Sequence, residues 1–114
     1  MRFLVLYKPA KYGSGPPSPE YMANMNRLIA ESEKSGDLVM TGGLRLSGKQ
    51  VRMDSAGAYA VTDGPYAEAK ELVGGFAILE HPSLEHAIES SKKFLKVAGE
   101  GECEIREMMD GPPE

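Results

Sequence analysis

The chain has no tryptophan, one cysteine, two histidines and three phenylalanines in 114 residues. A lone cysteine, Cys103, excludes an intramolecular disulfide and gives no sign of an oxidising compartment. It lies between Glu102 and Glu104, whose charges oppose thiolate formation, so a buried or half-buried structural thiol is expected rather than a nucleophile. His81 and His86 are separated by Pro82 and lack the i, i+4 spacing of a helical metal pair, and no third ligand accompanies them. They read as ordinary surface histidines, and neither a metal nor a cofactor is expected.

Long apolar runs are missing as well. The opening stretch "MRFLVLYKP" carries five apolar or aromatic residues between Arg2 and Lys8. That is shorter than a signal-peptide core and far shorter than a membrane span, so no membrane association and a cytoplasmic location are expected. Nor is there an excess of positive charge. Thirteen Lys and Arg face seventeen Asp and Glu, the net charge is −4, and no basic run occurs, which argues against a nucleic-acid surface. The stretch "GLRLSGKQ" from Gly43 satisfies G-x-x-x-x-G-K, but Gln50 stands where a P-loop needs Ser or Thr, and a strand pattern follows where a helix should.

What is present is a clear sequence of elements in one domain, residues 1–109, with a short tail at 110–114. Phe3 to Tyr7 form an apolar run suited to a strand buried on both faces. "KPAKYGSGPPSP" then reads as a loop. Ser18 is a candidate N-cap, Pro19 suits the first helical position, and Gly36 stops a helix that ends near Ser35. Met22, Met25 and Ile29 make its apolar stripe, and Met22, Met25 and Met40 are expected to fill the core.

"DLVMTGGL" reads as a second strand. Val51 and Met53 alternate with Arg52 and Asp54, a turn follows at Ser55–Gly57, and Ala58 to Thr62 form the returning arm of a hairpin. Tyr59, Val61 and Asp63 share a face of that arm that the alternation marks as a candidate for burial. Leu72 to Glu80 is a further strand, and Ser83 caps a second helix to about Ala98. Leu84, Ala87, Ile88, Ser91, Leu95 and Ala98 fall at helical spacing along it. "CEIREMM" makes a last strand. The order is the βαββαβ unit of a ferredoxin-like α+β domain with an extra hairpin: an antiparallel sheet with two helices on one face. The other face is apolar enough to want a partner, and a homodimer is the expected solution.

The joint between two strands is the most unusual segment. Asp63-Gly64-Pro65 is turn grammar, yet Tyr66, Glu68, Lys70 and Glu71 follow at once. A charge cluster on the surface and the rim of a site both remain open on the residues alone. This segment resembles the signature of the YCII-related family in its DGPF-type branch. Asp63-Gly64-Pro65-Tyr66-Ala67-Glu68, Lys70-Glu71 and Gly74-Gly75-Phe76 match, with Tyr66 in place of the usual Phe. The likeness extends to "SPEYM", to the glycines at 42 and 43, to "LEHAIE" and to "EIR" at 104–106.

The resemblance implies a bacterial protein with a ferredoxin-like domain that dimerises into an α/β-barrel-like body with a cleft. It also implies a link to sigma factors of the extracytoplasmic-function type. Relatives are suspected of using a His-Asp pair with the histidine near the first helix. Here "EYMANMNRLIAESEKSG" contains no histidine, so only the aspartate half carries over, onto Asp63.

Three readings follow. In the first, a small anionic molecule binds in the dimer cleft, Asp63 acts as a catalytic candidate, and Tyr66, Lys70, Glu71 and Arg106 are binding candidates. In the second, the dimer is a non-catalytic regulatory or interaction module. In the third, Asp63, Lys70, Glu71 and Arg106 form an ion-pair network.

Overall fold

A computed structural model describes residues 1–10, 17–45, 47–63 and 73–109. The elements are β1 (Arg2–Pro9), α1 (Pro19–Ser35), β2 (Leu38–Gly43), β3 (Lys49–Met53), β4 (Tyr59–Asp63), β5 (Gly75–Glu80), α2 (Leu84–Ala98) and β6 (Gly101–Glu107). Both helices begin and end where local chemistry directs them. The Ser18 hydroxyl accepts from the Tyr21 amide at 3.1 Å, satisfying one of the donors that a helix start leaves orphaned. Gly36 adopts a left-handed conformation at φ 85°, and its amide donates to Glu33. Ser83 caps α2 in the same way through the His86 amide at 3.3 Å.

Four strands form one antiparallel sheet in the order β2-β5-β1-β6. This is the expected ferredoxin-like arrangement, with β5 returning between the two strands that α1 connects. The register aligns Phe3 with Leu79 and Glu107, Val5 with Ala77 and Ile105, and Tyr7 with Gly75 and Cys103. Strand alternation turns those residues toward the helices. Phe3, Val5, Leu79 and Ala87 are the buried apolar core, and Phe3 is the largest side chain wholly removed from solvent. The Tyr7 ring meets Phe94 of α2 edge to face, with centroids 5.0 Å apart.

The opposite sheet face carries Leu4, Leu6, Phe76 and Ile78, all half-buried, with Met40 exposed toward the β2 edge and Arg106 exposed on β6. Lys8 donates to Glu104 at 3.0 Å across the β1–β6 pair, also on this face. β3 and β4 make a separate two-stranded sheet in which Val51 faces Val61 and Met53 faces Tyr59. Its turn is tied by Asp54, whose carboxylate accepts from the amides of Ala56 and Ala58, both at 2.9 Å. Gly57 supplies the positive φ the turn needs, at 86°.

Several expectations are corrected. Met22 and Met40 are 46% and 56% exposed, and only Met25 of that set turns inward. The inner face of α1 runs instead through Tyr21, Met25, Leu28, Ile29 and Ser32, one step away from the Met22 stripe, and no α1 side chain is fully buried. On α2, Ala87 and Ser91 are buried as the spacing requires, whereas Leu84 and Ile88 are exposed. The face of β4 marked as a candidate for burial is open: Tyr59 is 74% and Val61 59% exposed. The hairpin lies outside the main sheet, and among the described residues it pairs only its own two strands.

Candidate functional site

α1 stands away from the sheet, and a cavity of about 660 Å³ opens between it, α2 and the inner sheet face. Its shape follows from residue size. At the β2–β5 crossing Gly42, Gly43, Gly74 and Gly75 put backbone where other strand pairs carry side chains. A Cβ built on Gly75 would come within 3.1 Å of the Gly42 carbonyl oxygen, a tight approach that favours the small residue at this crossing. Val5, Ala77 and Leu79 line the sheet side, Met25, Leu28 and Ile29 the α1 side, and Phe94 the α2 side. Apolar walls of this kind exclude water and favour a ring or chain of similar polarity.

Hydroxyls interrupt those walls. Tyr7, Tyr21, Ser32, Thr41, Ser90 and Ser91 all reach the lining. Thr41 donates to the Phe76 carbonyl at 2.8 Å, and Ser91 donates to the Ala87 carbonyl at 2.9 Å. Glu31, Asp37 and Lys93 are the charged contributors. Cys103 also lines the cavity, half-buried as expected, and burial pushes its thiol pKa up. The neighbouring glutamates are not the cause: Glu104 points to the other sheet face, where the hydrogen bond and charge of Lys8 hold its carboxyl below the usual range.

Of the residues expected to form a site, two are described. Asp63 ends β4 and pairs with Lys49 across the hairpin, both side chains mostly exposed. Arg106 lies on β6, on the sheet face opposite the cavity. The two therefore belong to different sheets. Tyr66, Lys70 and Glu71 lie outside the described residues. Gly74 donates to Tyr7 and accepts from Leu44 at the cavity's edge. The signature segment thus leads directly into the cavity wall.

His81 corrects a further expectation. It is 6% exposed rather than a surface residue, and its amide donates to the Met1 carbonyl at 2.9 Å where the chain start crosses the end of β5. His86 is exposed, as expected. Spacing along the chain could not show this burial, because it arises from β1 and β5 running side by side. Among the described residues no group of three or more His, Cys, Asp or Glu is placed to hold a metal ion.

The family described as the YCII-related domain matches residues 1–110. The chain belongs to the YCII-related family. A solved structure that this YCII-related domain resembles is 5-chloro-2-hydroxyhydroquinone dehydrochlorinase from Burkholderia phenoliruptrix, in complex with 2,5-dihydroxybenzoquinone. The likeness covers 97% of this chain and 96% of that one, with a TM-score of 0.53 and 18% identity. At that identity the shared property is the α+β fold. No curated protein matches the YCII-related chain. No helix of the described residues is long and apolar enough to cross a membrane.

Proposed function

We propose that this YCII-related domain binds a small, largely apolar, ring-bearing molecule in the cavity between its helices and its sheet, and acts on it there. The observation that carries the reading is the cavity itself. It combines a volume of about 660 Å³ with apolar walls and a few hydroxyls, the composition of small-molecule sites. That an enzyme of the same fold is known with a dihydroxybenzoquinone bound supports cyclic phenols and quinones as the first class to test.

The proposal includes a homodimer. Among the described residues two surfaces lack cover: the sheet face around Leu6 and Phe76, and the hairpin face of Val51, Met53, Tyr59 and Val61. A second copy related by a two-fold axis covers both at once and leaves no open chain of contacts. Asp63 and Arg106 border these two surfaces. In the dimer they, with Tyr66, Lys70 and Glu71, form the rim of a cleft separate from the cavity, whose charges suit an anionic molecule. Arginine presents a fixed fork to a carboxylate and lysine a point charge.

The test is an NMR titration with small phenols, quinones and aryl carboxylates. The expected result is shifts at Tyr7, Thr41, Gly75 and Phe94 that Ser32→Trp, which plugs the cavity from α1, abolishes. Shifts confined to the hairpin or to the outer sheet face would refute it. The exposed hairpin face also suits the second reading, an interaction module linked to an extracytoplasmic-function sigma factor. Specific capture of such a factor by a chain that binds no member of the panel would favour that reading.

A further inference from the structure

His81 is held between two side chains that reach it from different parts of the chain. Its Nε2 lies 2.7 Å from the Ser90 Oγ on α2. Its Nδ1 lies 3.8 Å from the Asp37 Oδ1, in the link between α1 and β2. Asp37 is half-exposed while the imidazole is buried. Ser90 and Asp37 both line the cavity.

Ser90 is unusual beside its neighbour. A serine inside a helix ordinarily returns its hydroxyl to the carbonyl four residues back. Ser91 does so, donating to Ala87. Ser90 instead makes its described hydrogen bond to the imidazole. A hydroxyl that donates to Nε2 leaves the proton of the ring on Nδ1, facing a carboxylate. This is the order of a nucleophile, a base and an acid that steadies the base, which is recognised by geometry and role and not by sequence position.

We propose that Ser90, His81 and Asp37 form an acyl-transfer relay, with Ser90 as nucleophile and neutral aryl esters as the substrate class. This rests on the reading of the cavity as the ligand site. In the first step Ser90 Oγ forms a bond to the ester carbonyl carbon, and its proton passes to Nε2. The bond from that carbon to the leaving oxygen breaks as Nε2 returns the proton to it. Water then repeats the sequence on the acyl-serine, releasing a carboxylic acid and restoring the hydroxyl. Asp37 is a positioning residue: at 3.8 Å it acts on the imidazolium through charge, beyond the range of a normal hydrogen bond. The exposed His86 ring is stacked on that of His81, with centroids 6.3 Å apart.

The experiment is reaction with an aryl fluorophosphonate, followed by intact mass and peptide mapping. In this reaction an O–P bond forms, fluoride leaves, and the hydroxyl proton passes to His81. The expected result is one adduct on Ser90, absent in Ser90→Ala. General-base assistance is worth about 100-fold or more, so His81→Gln should slow labelling by at least about that factor. Because His81→Gln disturbs a buried position, Asp37→Asn supplies the independent variant. It slows labelling at an unchanged denaturation midpoint, and Asp37→Glu restores the rate. A chain that binds phenols in the cavity but leaves Ser90 unlabelled overturns the relay and leaves the ligand site standing. Labelling of Ser90 without any cavity binding overturns the ligand reading instead.

Discussion

Replacing Val51 with Lys and Val61 with Glu tests the dimer at one cross-strand pair. These residues face each other in the hairpin and are 67% and 59% exposed in the single chain. With Met53 and Tyr59 they make four side chains, each about two-thirds exposed. Full burial of a large apolar side chain is worth about 1.5–3 kcal/mol, so covering the remainder contributes about 4–8 kcal/mol per copy. Two copies supply about twice that, against an association cost of about 4–15 kcal/mol. At mid-range the surplus is about 2–3 kcal/mol. A micromolar dissociation constant needs about 8 kcal/mol, so a dimer of that affinity draws on the outer sheet face as well.

The double variant removes the apolar pair while Lys and Glu still attract each other across the strands, so the hairpin itself survives. Sedimentation velocity should find a dimer for the parent and a monomer for the variant, with unchanged far-UV circular dichroism. A parent that stays monomeric up to about 100 μM would refute the reasoning, because the balance above then has a term of the wrong sign. A variant that remains fully dimeric would remove the hairpin from the interface.

Phe3→Ala should cost about 3–5 kcal/mol in urea denaturation, since Phe3 is fully buried at the centre of the sheet. Gly101→Ala should cost about 1–3 kcal/mol by the same assay, because the new Cβ would sit 2.7 Å from the Lys8 carbonyl oxygen and 2.8 Å from the Tyr7 ring. Burial raises the Cys103 pKa, so iodoacetamide alkylation at about pH 8 should be slower in the native chain than in urea, and the native rate should keep climbing into more alkaline solution. Lys8→Met should flatten the acid side of the stability curve. The pair with Lys8 lowers the Glu104 pKa in the folded chain, so its stabilisation is present above the unfolded pKa and is lost as pH falls through the folded one.

The elements themselves were legible because their signals are local. Ser18, Pro19 and Gly36 bound a helix without reference to anything distant, and Asp54 with Gly57 specifies a turn within five residues. The ferredoxin-like order followed from counting elements. Which stripe of α1 turns inward was not legible, because a cavity and not a packed core lies beneath it. A helix over a void tolerates Met22 outside and Ser32 inside.

Site residues were harder still. Asp63 attracted attention through its turn and its charged neighbours, and the structure places it on the hairpin beside Lys49. Asp37, His81 and Ser90 carry no spacing rule, since strand pairing and helix packing bring them together from three separate segments. Reading His81 as a surface residue failed for the same reason: the Met1 carbonyl that meets it is 80 positions away in the chain.

Gly43 and Gly75, which pair across the β2–β5 crossing on the Tyr7 face of the sheet, set the size of the cavity by what they omit. A methyl group on Gly75 would crowd the Gly42 carbonyl oxygen at 3.1 Å, but a Cβ on Gly43 would meet nothing closer than the Gly74 carbonyl oxygen at 3.9 Å, and Gly43 has no positive φ to strain. Lineages descended from such a domain could therefore narrow the chamber one carbon at a time at position 43, trading one guest for a smaller one while every strand keeps its register. Divergence of chemistry would then run ahead of divergence of architecture.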